Sequence, residues 1–414
     1  MTKYDFDTLL DRRGTDCVKW DLFHDDVLAA WVADMDFAVA PAIREALHAR
    51  IDHPVFGYTM DVPPLRETLV QRMADLYNWQ IDARDIVFLP GVINGMAATA
   101  KAFGSDGGEM LMQPPVYPPF MNTPGIQGMS NKFAQLVESE RDGALHYEID
   151  FDAFEAAISE NTQIFMLCSP HNPVGRVWTR DELIRMAEIC LKHDVLICSD
   201  EIHCDLILGE NPHIPTASLS PEIAANTITL MAPSKTFNMP SLGCAFAIIT
   251  DKEKNRKFGG AMWQMGAHAS IMGLIGAQAA YTGGLDWLDA LLDYLRMNRD
   301  FAVDFIRENL PGVRTTIPEG TYLAWLDCRD LPVANGNGSR WFSPEMPGEF
   351  AAMMAKSMDA FFLEHAQIAL NNGASFGPGG EGFARLNFAT PRATLESALK
   401  RMQAAIEEAT TTAG

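Results

Sequence analysis

The stretch DVLICSDEIH, residues 194–203, is a short apolar run that ends in carboxylates and a histidine. An unbroken apolar run of this length is typical of a strand covered on both faces. Similar runs recur along the middle of the chain: IVFLP (86–90), EMLMQPP (109–115), QIFMLCSP (163–170), TITLMAPSK (227–235) and CAFAIIT (244–250). The runs together predict a buried sheet.

Helical segments lie between several of these runs. They include GVINGMAATAKAF (91–103) and TRDELIRMAEICLKHD (179–194), in which Thr179 and Glu182 form a T-x-x-E capping box. Strands alternating with helices predict an α/β fold with a mainly parallel sheet. Beyond residue 285 the pattern changes to one long amphipathic helix followed by candidate strands, TYLAWLDC (321–328) and FARLNFA (383–389), which predicts a smaller α+β domain.

A chain of 414 residues is too long for one ordinary core. We predict an N-terminal segment, 1–50, that packs with the small domain, a large domain at 51–285, and a small C-terminal domain at 286–414. No signal peptide and no membrane-spanning run is visible.

The charge and the cysteines limit the possible partners and compartment. The formal net charge is −22, which disfavours nucleic acid and anionic membranes as partners. Seven scattered cysteines without a CxxC pair fit a reducing cytoplasm. His203 and His213 are ten residues apart and no H-E-x-x-H occurs, so we predict no metal.

Polar residues follow five of the predicted strands. The segments are PGVING, PPVYPPF, SPHNPVG, SDEIHCD and APSK. In an open α/β sheet, ligands bind beyond the carboxyl ends of the strands. We therefore expect these five strand ends to form one shared site.

The order of these motifs resembles a known superfamily. SPHNPVGRVW (169–178), SDEIHCDL (199–206) and APSKTFN (232–238) are similar to motifs of the fold-type I pyridoxal-phosphate (PLP) enzymes, the aspartate-aminotransferase superfamily. Within it, WVADMDF (31–37), FGYT (56–59), DEIH and RLNFATPR (385–392) resemble the MalY/PatB-type cystathionine β-lyases. The resemblance covers roughly residues 5 to 405. It implies a three-layer sandwich in a large PLP-binding domain, plus the smaller α+β domain.

The resemblance implies roles for a lysine and a carboxylate. Lys235 matches the lysine that forms an imine with the cofactor aldehyde. Asp200 matches the partner of the protonated pyridine nitrogen. Glu201 is adjacent and could compete, but side chains alternate along a strand, and the motif register selects Asp200.

Three further residues match positions beside the cofactor ring. Asn172 would donate a hydrogen bond to the ring's phenolate oxygen. His203 stands where aminotransferases commonly have tyrosine, and it could donate to the same oxygen or merely fill space. Tyr117 would stack on the ring.

A turn followed by a helix in PGVINGMAATAKAF is suited to bind the phosphate. The donors would be the amides of Val92 and Ile93, together with the hydroxyl of Ser234. Tyr58 matches a tyrosine that the partner subunit supplies in the family, so the resemblance implies a homodimer with shared sites. One departure is Gly243, where aminotransferases often have a phosphate-binding arginine.

The substrate carboxylate calls for a bidentate partner, which favours arginine. Arg385, Asn387 and Ala389 share one face of the FARLNFA strand, and Arg385 matches the family's carboxylate-binding arginine. Arg392 is the rival candidate.

These assignments predict a cytoplasmic, PLP-dependent carbon–sulfur β-lyase of methionine and cysteine metabolism. Its amino-acid substrate would be cystathionine or a cysteine-like thioether, cleaved to pyruvate, ammonia and a thiol. The alternative is an aminotransferase. In the sequence, only DEIH and Gly243 favour a lyase over an aminotransferase. A third hypothesis is a binding protein that retains the fold without the chemistry.

Overall fold

Seven strands form the central sheet of the computed structural model, which describes residues 3–59, 62–331, 339–344 and 347–413. Ala245–Ile248 is antiparallel to both of its neighbours in this sheet. The other four pairs of neighbouring strands are parallel. The predicted mainly parallel sheet is confirmed, and all six apolar runs are strands in it. The spatial order is Ile86–Leu89, Ala245–Ile248, Thr227–Met231, Leu196–Asp200, Thr162–Cys168, Glu109–Met112 and Ser130–Phe133.

Both faces of this sheet are buried, which explains the unbroken apolar runs. In Thr162–Cys168, Ile164 and Met166 face one apolar core, whereas Phe165 and Leu167 face the other. Helices cover both faces: Val92–Phe103 and Lys252–Gln264 enclose the first core, and Phe151–Ala156 and Arg180–Lys192 enclose the second. The predicted three-layer arrangement of helices around a sheet is therefore confirmed.

The predicted helix ends are also present. Arg180–Lys192 begins with the Thr179 and Glu182 capping box, in which each side chain binds the other residue's backbone N–H.

None of the helices that the structure describes is both long and apolar enough to span a bilayer. The other α-helices are Val18–Asp21, Pro41–Ile51, Pro63–Tyr77, Pro119–Asn122, Pro221–Ala225, Pro233–Thr236, Ile271–Gly283, Leu285–Asn309, Gly348–Ala355 and Arg392–Ala413.

A second, smaller sheet is antiparallel and follows the long helix Leu285–Asn309, which packs against Arg392–Ala413. Asn371 pairs with Arg385 in this sheet, so the two residues are cross-strand neighbours. The strand order is Arg314–Thr315, Leu323–Asp327, Phe383–Asn387 and Asn371–Asn372. A separate hairpin joins Val137–Arg141 to Ala144–Glu148.

The N-terminal segment contacts both parts of the molecule. Leu28–Ala29 pairs in parallel with Ile368–Ala369, and Pro41–Ile51 packs along Ile271–Gly283. The domain limits 1–50, 51–285 and 286–414 stay a prediction.

Candidate active site

A cavity of about 220 Å³ lies beyond the carboxyl ends of the central strands. Asp200 is the last residue of its strand, and Asn172 and Lys235 each follow the end of another strand by four residues. The lining includes eight of the ten predicted site residues: Val92, Ile93, Tyr117, Asn172, Asp200, His203, Ser234 and Lys235.

The two other predicted residues lie outside this lining. Arg385 adjoins the cavity through a hydrogen bond to Asn172. Tyr58 is not part of the cavity lining of its own chain, and its side chain is fully exposed in a segment without regular secondary structure.

Lys235 presents its amine to the cavity from the short helix Pro233–Thr236. Its Nζ donates a hydrogen bond to the carbonyl oxygen of Ala33 at 2.6 Å. Burial lowers the pKa of Lys235 from 10.5 to about 8, and Arg385 acts in the same direction, whereas Asp34 and Asp200 oppose the shift. The amine is therefore mostly protonated near neutral pH, but its neutral, nucleophilic fraction is far larger than that of an exposed lysine.

Asp200 is a buried carboxylate, and no described lysine, arginine or histidine forms an ion pair with it. Its Oδ1 accepts a hydrogen bond from the backbone N–H of Ile202 at 3.1 Å. Burial raises the pKa of Asp200 to about 7, and the neighbouring Glu201 adds to the shift. A buried acid without a cation suits a ligand that brings its own N–H donor.

Glu201 lies on the opposite side of the chain from Asp200, as the alternation along a strand predicts. It is fully buried and accepts hydrogen bonds from Ser199 Oγ at 2.8 Å and from Thr216 N at 2.9 Å. His213 Nε2 lies 2.9 Å from its other oxygen. Glu201 is thus engaged in a polar network outside the cavity lining.

Arg385 is buried and surrounded by neutral hydrogen-bond acceptors. One terminal nitrogen donates to Asn172 Oδ1 at 3.0 Å, and the other donates to Trp31 O at 2.9 Å and to Asn371 Oδ1 at 2.6 Å. Its Nε is buried without a partner. Burial lowers the pKa of Arg385 to about 10, yet the guanidinium remains charged at neutral pH and suits an anionic ligand.

The rival arginine does not reach the cavity. Arg392 donates from Nε to Asn298 Oδ1 at 2.8 Å and stacks over Phe301. The geometry therefore favours Arg385 over Arg392 as the anion-binding side chain.

His203 and Tyr117 provide the aromatic part of the lining. His203 is buried with Nδ1 unpartnered, and burial lowers its pKa to about 3, so the ring is neutral. Its ring and the ring of Tyr322 are in edge-to-face contact, with centroids 6.0 Å apart. Burial raises the pKa of Tyr117, so its phenol keeps its proton.

The first turn of Val92–Phe103 forms one end of the cavity, with Gly91 as its N-cap. First-turn N–H groups have no acceptor within their own helix, so this end is suited to an anion. Gly243 lies nearby with φ of +68°, in the left-handed region that favours glycine. A Cβ at residue 243 would meet Pro90 O at an ordinary contact distance of 3.8 Å, so space is available, but an arginine here would have to adopt the strained left-handed backbone.

Three residues beside the predicted set were missed by sequence reasoning. Ala33 supplies the carbonyl that binds Lys235, Tyr322 donates to the same carbonyl, and Asn371 accepts from Arg385. Ala33 lies within the WVADMDF motif. It contributes a backbone carbonyl, which every residue has, so its side chain gives no sign of this role in the sequence. Across the described ranges, no three histidine, cysteine or acidic side chains come together as metal ligands would.

A model of the family "Aminotransferase class I and II" matches residues 32–402. The chain belongs to this family. Among curated members, it is 36% identical to cystathionine beta-lyase PatB of Bacillus subtilis (strain 168), over 97% of this chain and 99% of PatB. The predicted resemblance to the MalY/PatB type within the aminotransferase class I and II family is thereby confirmed.

Solved structures agree with the fold. A PLP-bound putative aminotransferase from Clostridium difficile 630 is 36% identical, with a TM-score of 0.87 over 98% of this chain and all of that one. Cystalysin from Treponema denticola, whose structure contains a pyridoxal 5'-phosphate cofactor, is 32% identical, with a TM-score of 0.86 over 98% of this chain and 99% of that one. The predicted fold class of the larger domain is confirmed.

Replacement of Asp200 by asparagine is expected to stabilise the protein once bound small molecules have been removed. The folded-state pKa of about 7 lies above the ordinary value of 3.8, so native Asp200 costs stability as pH rises from about 4 to 7. The advantage of Asp200→Asn in free energy of unfolding should grow across this window to at most about 4 kcal/mol and then level off. Urea unfolding at a series of pH values measures it.

Asp289→Asn provides the matched control, because Asp289 is exposed on the helix Leu285–Asn309. This variant measures the effect of removing an aspartate that is not desolvated. A pH-dependent change for Asp200→Asn no larger than that for Asp289→Asn would contradict the desolvation of Asp200.

Proposed function

We propose that the protein is a PLP-dependent carbon–sulfur β-lyase that acts on cystathionine or a cysteine-like thioether. The substrate and one water molecule would yield pyruvate, ammonia and a thiol. One observation carries this proposal: three functional groups lie around one cavity. They are the partly neutral amine of Lys235, the unpaired buried carboxylate of Asp200 and the buried guanidinium of Arg385.

The residues present fit pyridoxal phosphate. The unpaired carboxylate of Asp200 suits a pyridinium N–H, and the first turn of Val92–Phe103 with Ser234 suits a phosphate. Lys235 supplies the amine that binds the aldehyde. Tyr117 would stack on the ring, and His203 would either donate to the phenolate oxygen or fill space beside it. When bound, PLP supplies an electron sink for the negative charge that develops at the substrate Cα.

The protein's own groups would then direct the reaction. The Nζ of Lys235, once displaced by the substrate amine, is placed to take the Cα proton as a general base. Asp200 would accept the hydrogen bond of the pyridinium N–H, and in its ionised form it would keep that nitrogen protonated. Asn172 directs Oδ1 toward Arg385, so its Nδ2 is the atom that can donate to the phenolate oxygen.

Arg385 would bind the substrate carboxylate. Its guanidinium is held by Asn172, Asn371 and Trp31 O, which limits its rotation before the substrate arrives. Its present partners are all neutral, so a carboxylate would be the first opposite charge that it contacts. This preorganisation lowers the entropic cost of binding an α-amino acid.

Lyase chemistry is favoured over transamination by the relatives and by Gly243. PatB, at 36% identity, is named a cystathionine beta-lyase. The left-handed backbone at Gly243 disfavours the arginine that aminotransferases often place there. The solved structure described as a putative aminotransferase keeps transamination as the second candidate.

A homodimer with shared sites is part of this proposal. Tyr58 lies fully exposed among other exposed apolar side chains, including Val55 and Phe56. A second copy of the chain would cover this segment and would bring Tyr58 to the neighbour's phosphate. We place the enzyme in the cytoplasm, because all seven cysteines in the described structure are free thiols.

Purified protein supplied with PLP and cystathionine alone is expected to release pyruvate and free thiol in equal amounts. A coupled pyruvate assay and a thiol reagent measure the two products. Turnover that requires an added keto acid and yields no pyruvate would reject the lyase and favour the aminotransferase.

Two variants separate chemistry from substrate binding in this assay. Lys235→Ala should lose both the cofactor absorbance band and pyruvate release. Arg385→Lys should keep the absorbance band but raise KM by about tenfold or more, because a lysine cannot form the bidentate pair. Native protein without any cofactor band would instead favour the binding-protein hypothesis.

Tyr58→Phe is expected to weaken PLP binding by about tenfold, as expected for loss of a hydrogen bond to a charged group, without altering the dimer. Titration with PLP and sedimentation measure the two properties. Mixed dimers of Tyr58→Phe and Lys235→Ala subunits test the sharing of sites. One site in each mixed dimer would combine native Lys235 with the partner's native tyrosine, so half of the sites should recover native affinity. No recovery would show that Tyr58 does not act across the interface.

A further inference from the structure

The carbonyl oxygen of Ala33 accepts two hydrogen bonds inside the active-site cavity. Lys235 Nζ donates at 2.6 Å, and the phenolic hydroxyl of Tyr322 donates at 2.8 Å. A carbonyl oxygen has two lone pairs, so both of its acceptor positions are filled. The position and acceptor strength of this oxygen therefore affect Lys235 directly.

Neighbouring groups prevent the Ala33 carbonyl from turning away. Asn387 Nδ2 donates to the carbonyls on either side, Val32 O at 2.6 Å and Asp34 O at 2.7 Å. Arg385 donates to the carbonyl oxygen of Trp31, two residues before Ala33. The backbone around Ala33 is thus held by the second sheet, and its carbonyl is a fixed acceptor for the lysine.

Tyr322 joins this carbonyl to the aromatic side of the cavity. It is fully buried, and its backbone carbonyl accepts a hydrogen bond from Phe388 N at 3.0 Å, which anchors it to the second sheet. Its ring is in edge-to-face contact with the ring of His203, a predicted neighbour of the cofactor. One rigid side chain therefore contacts both the acceptor of Lys235 and the ring of His203.

The hydroxyl of Tyr322 should bias the protonation of Lys235. An ammonium gains more than a neutral amine from a strong acceptor, and a carbonyl that already accepts from a phenol is a weaker acceptor. Charged groups face the amine from several elements. Asp34 and Asp200 favour the ammonium, whereas Arg385 and burial favour the neutral amine. The hydrogen bond that Tyr322 donates to Ala33 O favours the neutral amine, in the same direction as Arg385 and burial.

We propose that Tyr322 is a positioning residue that, through the carbonyl of Ala33, keeps the Lys235 amine oriented into the cavity and ready to react. It touches neither substrate nor cofactor in this role. The proposal rests on the proposed function in one respect, namely that Lys235 is the lysine that binds PLP.

The test is the pH dependence of PLP loading onto full-length protein freed of cofactor. Only the neutral amine attacks the aldehyde, so the midpoint of the rate profile reports the protonation of Lys235. Tyr322→Phe keeps the ring and its contact with His203 but lacks the hydroxyl. The midpoint should move to higher pH, and loading at neutral pH should slow by about three- to tenfold, in line with the loss of one hydrogen bond.

Tyr147→Phe is the matched control, because Tyr147 is also buried and its hydroxyl accepts a hydrogen bond from Trp325 Nε1 away from the cavity. It should lower thermal stability and leave the midpoint unchanged. A midpoint for Tyr322→Phe equal to that of the native protein, or a uniform slowing at every pH, would overturn the proposal. If native protein does not load PLP at Lys235, the proposed function itself fails.

Discussion

The desolvation of Lys235 and Asp200 in one cavity is the constraint on which the rest of the site depends. Burial moves the two pKa values toward each other, to about 8 and about 7. Each group thereby loses part of the charge that it would carry in water, which costs stability in the free protein. A cofactor that converts the amine into an imine and brings a cation to the carboxylate would relieve both costs, so the same burial that destabilises the free protein favours binding.

The strand ends were predictable from sequence because they combine two local signals. An unbroken apolar run marks a strand covered on both faces, and the polar residue that follows marks its carboxyl end. Asp200, Asn172 and Lys235 all satisfy this pattern, and the parallel sheet brings them together. The alternation of side chains along a strand allows only one of Asp200 and Glu201 to face the site, and the register of the family motif selected Asp200. These placements follow from backbone geometry that is nearly independent of the remainder of the chain.

The parts of the site that sequence reasoning missed depend on long-range register. Ala33 contributes a backbone carbonyl, which any residue could provide, and its place in the cavity depends on Asn387 and Arg385 more than 350 residues later. Asn371 reaches Arg385 only because the two are paired across antiparallel strands. Gly243 was noted as a missing arginine, and the structure adds the physical reason, a left-handed backbone. Tyr58 stays a prediction, because its expected contact lies in a second copy of the chain.

The most direct test of the central claim is to identify the lysine that carries the cofactor. Protein loaded with PLP is reduced with borohydride, which fixes the imine as a stable amine, and is then digested for peptide mass spectrometry. We expect a phosphopyridoxyl group on the peptide that contains Lys235 and on no other lysine peptide. A modified peptide from elsewhere in the chain, or no modified peptide at all, would contradict it.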